Sequence, residues 1–429
     1  MEVTIRPSAL RGRVQIPASK SHTIRAVVIA ALASGESIIQ RPLESDDAQS
    51  ARRVYSALGA QITTEPTCWR VIGTAGKPIA PENVVDTGNS GTTMRMAMGS
   101  ATLIPEGFAV LTGDEQVRRR PGIPLAETLT TLGARIWSTR WNGCAPWVVG
   151  GLLRGGEAIL EAETSQYVSS LLLNTPLARE DTVLGVPLLN EKPYVVMTLD
   201  WIRKQGVTVF CNDDLSEFHI PGGQQYTPVN CPIPGDFSSA TFFLAAGALP
   251  GNEITCDGLD MEDSQGDKAV VFCLEEMGAS LTLTPESITV ASQKLEGREF
   301  DLNATPDALP MMAALACLAE GTTRLVNVPQ ARIKETDRIH VMRLELEKLG
   351  ASIRELEDGM IIEGGVLHGG VVEGHGDHRI IMALAIAATA ARGPVTIRDT
   401  AAVNITYPQF FQHLQALGAS VSGPGLATP

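Results

Sequence analysis

The stretch Arg332-Ile333-Lys334-Glu335-Thr336-Asp337-Arg338 is the densest cluster of ionisable side chains in the chain. Read as a helix start, it places Lys334, Asp337 and Arg338 near one face, since residues three and four apart are helical neighbours. A carboxylate between cations is drawn toward its ionised form and a water-poor setting draws it back, so Glu335 suits general acid or base work. Asp307, at another helix start, offers a second carboxylate. The same pattern also describes a salt-bridged, solvated turn. A second chemistry-bearing stretch is Ser19-Lys20-Ser21-His22-Thr23-Ile24-Arg25, which opens a helix whose apolar residues begin only at Val27. A hydroxyl N-cap, free first-turn N–H groups and two flanking cations make an anion site; the plainer reading is a capped helix with solvated charges. Arg118-Arg119-Arg120-Pro121 is a basic run in a loop, and of the three the arginine beside the proline, Arg120, is the one expected to face an anion. His368, His375 and His378 lie in glycine-rich turns with no carboxylate or cysteine to complete a metal set, so no metal is expected.

These residues need a scaffold, and composition bounds it. The 429 residues are 44% hydrophobic and 19% charged, ordinary for a globular protein of several domains. The net charge of -14 argues against nucleic acid or an anionic membrane as partner. Seven scattered cysteines, without a Cys-x-x-Cys pair, indicate neither a zinc site nor a disulfide framework and fit a reducing cytoplasm. No signal-peptide pattern opens the chain, and Ile380 to Ala391, the longest apolar run, is too short to cross a bilayer.

The chain repeats itself six times. A helix end followed by glycine recurs at Gly59, Gly133, Gly206, Gly278, Gly350 and Gly418, with spacings of 74, 73, 72, 72 and 68 residues. Each glycine stands where a helix C-cap calls for a left-handed residue before a strand. A second series, Gly35, Gly107, Gly251, Gly321 and Gly393, ends an alanine-rich helix in five units, while the third unit has Arg179-Glu180-Asp181 there. The unit reads as helix, strand, helix, then a strand or two. Six such units exceed one core, so two domains of three are expected, with a hinge at Val229 to Gly235. Under three-fold internal symmetry the first helices of the units point the same way. Their starts carry most of the unusual polar residues: Ser19-Lys20-Ser21, Gly88 to Thr93 with Arg95, Thr164-Ser165-Gln166, Gly235-Asp236 with Ser238-Ser239, Thr305-Pro306-Asp307, and Gly376 to Arg379. A cleft between two such faces would hold small anions, open when empty and closed around them.

Lys20-Ser21 with Arg25, Gly88-Asn89-Ser90-Gly91-Thr92 with Arg95, Arg120-Pro121, Ser165-Gln166, Gly235-Asp236 with Ser238-Ser239-Ala240, Pro306-Asp307, Lys334 to Arg338, and Asp377-His378-Arg379 resemble, in order, the motifs of the 5-enolpyruvylshikimate-3-phosphate synthase family. The likeness runs from about residue 16 to residue 412. It implies an α/β (α+β) enolpyruvyl transferase fold of two domains, each of three βαβαββ-type repeats with pseudo-three-fold symmetry. The expected division is 16–233 for the first domain and 234–429 for the second, completed by residues 1–15. The implied reaction moves the enolpyruvyl group of phosphoenolpyruvate to the 5-hydroxyl of shikimate 3-phosphate by addition and elimination, releasing phosphate, with no metal or organic cofactor. A cytoplasmic monomer is expected.

Carried over by position, the resemblance implies that Lys20, Ser21, Arg25, Thr164, Ser165, Gln166, Asp307, Gln330 and Lys334 hold shikimate 3-phosphate. Lys20, Asn89, Gly91, Arg120, Gln166, Arg338 and Arg379 would surround phosphoenolpyruvate. Asp307, Glu335 and Lys20 would be catalytic, Asp307 taking the 5-hydroxyl proton and Glu335 serving the methylene carbon. Three positions depart from the family pattern: Ile405 stands where many members have lysine, Glu191 where many have serine against the sugar phosphate, and Ile24 where asparagine is frequent. The enolpyruvyl transferases of UDP-N-acetylglucosamine characteristically have Asn after the first-motif lysine and often a cysteine near the mobile loop; here Ser21 follows Lys20, and no cysteine lies between Cys68 and Cys144. A non-catalytic descendant would have no reason to keep Lys20, Asp307 and Glu335 together.

Overall fold

The computed structural model describes residues 1–424 and 426. Twelve α-helices lie among them: α1 (Lys20–Leu32), α2 (Asp46–Ala57), α3 (Gly91–Ala101), α4 (Ile123–Thr131), α5 (Ser165–Asn174), α6 (Lys192–Lys204), α7 (Phe237–Ala248), α8 (Ala269–Glu276), α9 (Leu309–Ala316), α10 (Arg338–Lys348), α11 (His378–Thr389) and α12 (Phe410–Ala416). The strands form six four-stranded sheets, all with one pattern, a parallel pair followed by two antiparallel pairings. In the third repeat, for example, Gly156–Ala162 runs parallel to Thr182–Leu189, which pairs antiparallel with Glu217–Ile220. A parallel pair needs a crossover, and α5 supplies it.

The chain divides into two compact units, residues 18–233 and residues 1–17 with 234–429. Ile16 and Pro17 belong with the latter because the Ile16 amide donates to Asp257 O at 3.0 Å and Pro17 O accepts from the Asp236 amide at 2.9 Å. Three sheets take a strand from a distant part of the chain. In unit 18–233, Asn230–Pro232 lies parallel to Glu36–Gln40. In the other unit, Arg11–Gln15 lies parallel to Glu253–Asp257, and Glu2–Arg6 fits antiparallel between Val395–Arg398 and Ser420–Ser422.

Each unit has its own core. The odd-numbered helices are its centre: α7, α9 and α11 are buried along their whole length, and α1 from His22 onward. A helix apolar or small on every face belongs inside. The even-numbered helices alternate buried and exposed positions and cover the outside. The six repeat glycines all have positive φ, between 81° and 105°, as a helix end turning into a strand requires. In the unit containing residues 234–429, Phe242, Phe243, Tyr407 and Phe410 form an aromatic cluster with ring centroids 5.4–6.1 Å apart. Among the described residues no helix is long and apolar enough to cross a membrane.

Candidate active site

In unit 18–233 the first turns of α1, α3 and α5 are tied together by polar contacts. Arg25, 2% exposed, donates to Ser21 O, Thr198 Oγ1, Ser169 Oγ and Tyr194 O at 2.8–3.3 Å, joining α1 to α5 and α6. Burial pulls its guanidinium pKa down to about 10, against the opposing pull of Tyr194 and Glu191. Arg95 Nη2 and Tyr167 Oη both donate to Pro121 O, at 3.1 and 2.9 Å, and so fix the loop after Arg120 between α3 and α5. Lys20 is the first residue of α1, with its Nζ 3.4 Å from the buried carboxylate of Asp47.

Arg120 lies over the start of α3. A Cβ on Gly91 would be 2.6 Å from Arg120 Nη1 and 2.8 Å from Arg95 Nη1, so the guanidinium groups come this close only because residue 91 has no side chain. Asn89, two residues earlier, donates through Nδ2 to Asp114 and Gln116 at 2.6 and 2.7 Å. Thr164 and Ser165 at the start of α5 are both buried, and Gln166 beside them is half-buried.

In the other unit, carboxylates and guanidinium groups join the starts of α7, α9, α10 and α11. Arg338, 1% exposed, donates to Asp307 at 2.7 Å, Glu335 at 2.6 Å and Asp377 at 2.8 Å. Burial alone would lower its pKa, but the charges of Asp377, Glu335 and Asp307 outweigh that and raise it. Arg379 pairs with Asp307 at 2.8 Å and reaches Ser238 O at 3.4 Å. Asp307 thus takes a guanidinium on each oxygen. Asp267, fully buried, accepts from Ser238 Oγ and Thr305 Oγ1, each at 2.6 Å. Its burial and the nearby Asp307 charge raise its pKa, against Arg379 and the two hydroxyls. Gln330 is buried and donates to Asn303 O at 3.0 Å, while Lys334 is half-buried in the same loop as Glu335.

The structure corrects three local readings. Residues 332–338 are not a helix start: a 3-10 turn covers Pro329–Ile333, Lys334 to Thr336 form a loop, and α10 begins at Arg338. Lys334, Asp337 and Arg338 therefore do not share a helix face. Asp337 turns back to cap α10 through the His340 amide and to pair with Arg332 at 2.7 Å, leaving Arg338 to Glu335, Asp307 and Asp377. The loop is held because its carboxylates find better partners than a regular first turn would provide. Ser19 occupies the N-cap of α1, but its side chain makes no capping bond, and Thr305 makes none either. Ser90, Thr164, Asp236 and Asp377 do cap their helices. His375 Nε2 donates to Glu345 Oε1 at 2.7 Å, a structural pairing. Asp47 and Asp267 escaped the sequence reading, because a lone aspartate near a second helix carries no local motif.

The fold is thus a six-repeat α/β class of structure in two units, with arginines and carboxylates gathered at the starts of the inner helices. Comparison with known proteins narrows the class. Residues 5–414 match the profile of EPSP synthase (3-phosphoshikimate 1-carboxyvinyltransferase). The chain is 51% identical over 422 residues to the 3-phosphoshikimate 1-carboxyvinyltransferase of Acetivibrio thermocellus, covering 98% of this chain and 99% of that one. It is 43% identical over 426 residues to the enzyme of that name from Methanococcoides burtonii, covering 98% and 99%. A solved EPSP synthase from Acinetobacter baumannii superposes with a TM-score of 0.83 at 28% identity, covering 98% of this chain and 100% of that one. The chain belongs to the EPSP synthase (3-phosphoshikimate 1-carboxyvinyltransferase) family.

Proposed function

We propose that the polar groups at the inner-helix starts of both units act on one pair of substrates. The activity is the family's: transfer of the enolpyruvyl group of phosphoenolpyruvate to the 5-hydroxyl of shikimate 3-phosphate, with release of phosphate. Shikimate 3-phosphate is held by Lys20, Ser21, Arg25, Thr164, Ser165, Gln166, Gln330 and Lys334, with Asp307 at its 5-hydroxyl. Phosphoenolpyruvate is held by Lys20, Asn89, Gly91, Arg120, Gln166, Arg338 and Arg379. The observation that carries this reading is the shared ion pairing of Asp307 and Glu335 on Arg338, with Arg379 on the far oxygen of Asp307.

The chemistry follows from those pairs. A phosphate with about -1.5 to -2 charges competes with Glu335 for the Arg338 guanidinium, and a carboxylate released from its cation takes up a proton more readily. Protonated Glu335 then delivers that proton to the methylene carbon of phosphoenolpyruvate. Cationic character develops at the adjacent carbon, the 5-hydroxyl oxygen attacks it, and Asp307 takes the hydroxyl proton. The product of addition is a tetrahedral ketal. In elimination the Glu335 carboxylate removes a methyl proton as the C–O bond to phosphate breaks, the proton held by Asp307 passes to the departing phosphate, and the pre-set arginines stabilise that anion.

Phosphate release measured with both substrates tests the reading. Glu335→Gln and Asp307→Asn are expected to lower kcat by roughly a hundredfold or more with small changes in either KM, the mark of groups acting in the transition state. Full turnover by Glu335→Gln would remove Glu335 from the mechanism.

A further inference from the structure

Glu191 is the N-cap residue of α6, 2% exposed, in the left-handed region at φ 59° and ψ 40°. For a residue with a Cβ that conformation is strained and persists only where surrounding contacts enforce it. The contacts are specific. Glu191 Oε2 accepts from Ser165 Oγ at 2.7 Å, from the Ser165 amide at 3.0 Å and from Thr164 Oγ1 at 3.1 Å. Its charge also acts on the buried guanidinium of Arg25. These donors, at the positively polarised start of α5, are the groups assigned above to shikimate 3-phosphate, so the inference rests on that assignment.

A carboxylate bonded to three donors beside a buried arginine is a resident anion. It compensates Arg25 and occupies the Thr164 and Ser165 donors. The same arrangement recurs elsewhere in the fold: Asp47, near the start of α2, serves Lys20 at the start of α1, and Asp267, just before α8, serves Ser238 at the start of α7. The donors on Asp267 are not assigned to the sugar phosphate, and Lys20, beside Asp47, is assigned to phosphoenolpyruvate as well, so Thr164 and Ser165 are the hydroxyl donors of that substrate held by a carboxylate. We infer that Glu191 competes with the phosphate of shikimate 3-phosphate for Thr164 and Ser165, and so sets the affinity for that substrate. Two anions cannot share one set of donors without repulsion, and binding the ligand costs the displacement of the carboxylate.

Glu191→Gln keeps the shape and removes the charge. Glu191→Asp keeps the charge near Arg25 and withdraws the oxygen by one methylene. In steady-state assays of the full chain, Glu191→Gln is expected to lower KM for shikimate 3-phosphate by roughly tenfold and Glu191→Asp by roughly threefold, with KM for phosphoenolpyruvate shifting by less than about twofold. An unchanged or raised KM for shikimate 3-phosphate in the folded variants overturns the inference; if the Gln variant does not fold, the Asp variant decides. Ser165→Ala added to either variant separates the two levels of argument. A rise in KM on that addition, without the earlier fall, overturns only the competition. No rise on that addition removes the phosphate from Ser165 and overturns the assignment beneath it.

Discussion

Replacing Gly91 by alanine separates folding from binding at one atom. The new Cβ would lie 2.6 Å from Arg120 Nη1, whereas ordinary contact starts at 3.4 Å, so the guanidinium must retreat by about 0.8 Å. Arg95 yields less readily, because its Nη1 is bonded to Gly91 O at 3.2 Å and its Nη2 to Pro121 O at 3.1 Å. The fold loses little: residue 91 is the first position of α3, alanine is a better helix former than glycine, and the atom displaced is the tip of a flexible side chain. Tm is therefore expected to move by no more than about 2 °C. Binding loses more, because a charge-assisted hydrogen bond is worth roughly 1.5–3 kcal/mol and tolerates little displacement. KM for phosphoenolpyruvate should rise roughly tenfold to a hundredfold, measured by phosphate release at saturating shikimate 3-phosphate. An unchanged KM in the folded variant would refute the claim that Arg120 serves phosphoenolpyruvate from its place over Gly91.

Gly99 tests packing alone: a Cβ there would lie 2.4 Å from Asn174 Nδ2 and 2.6 Å from Ser170 Oγ, both buried and hydrogen-bonded between α3 and α5. Gly99→Ala is expected to cost about 1–3 kcal/mol of stability in chemical denaturation, and an unshifted midpoint would show that the helices can part without cost. Glu345, 2% exposed at its side chain, accepts from Lys348, His375 and the Glu373 amide at 2.7–2.9 Å. Burial alone would raise its pKa, but these donors hold it below the ordinary 4.5. A depressed carboxylate stabilises the fold above its unfolded pKa and loses that contribution as pH falls through the folded one. Glu345→Gln should thus cost about 1–3 kcal/mol near pH 7, the gap closing in thermal unfolding as pH falls from 4.5 through the lowered pKa of the folded carboxyl; a pH-independent gap would refute the charge argument.

The sequence carried the repeat in its glycines. Six glycines at near-constant spacing, all with positive φ, and polar caps at four of six inner-helix starts made the α/β repeat and the gathering of polar residues at those starts readable from sequence. What it hid was pairing within a repeat. In the first, third, fourth and fifth repeats, a residue at the start of the second helix reaches the start of the first: Asp47 to Lys20, Glu191 to Ser165, Asp267 to Ser238, and Arg338 to Asp307. In each, the strand between the helices returns the chain to where the first helix began, so residues 26 to 31 apart come into contact. No local motif shows this, which is why Asp47 and Asp267 escaped notice and the 332–338 cluster looked like a helix turn. Superposing the six repeats in register would have exposed it. The second-helix start is then a recurring position from which these four repeats set the charge at their own inner-helix starts.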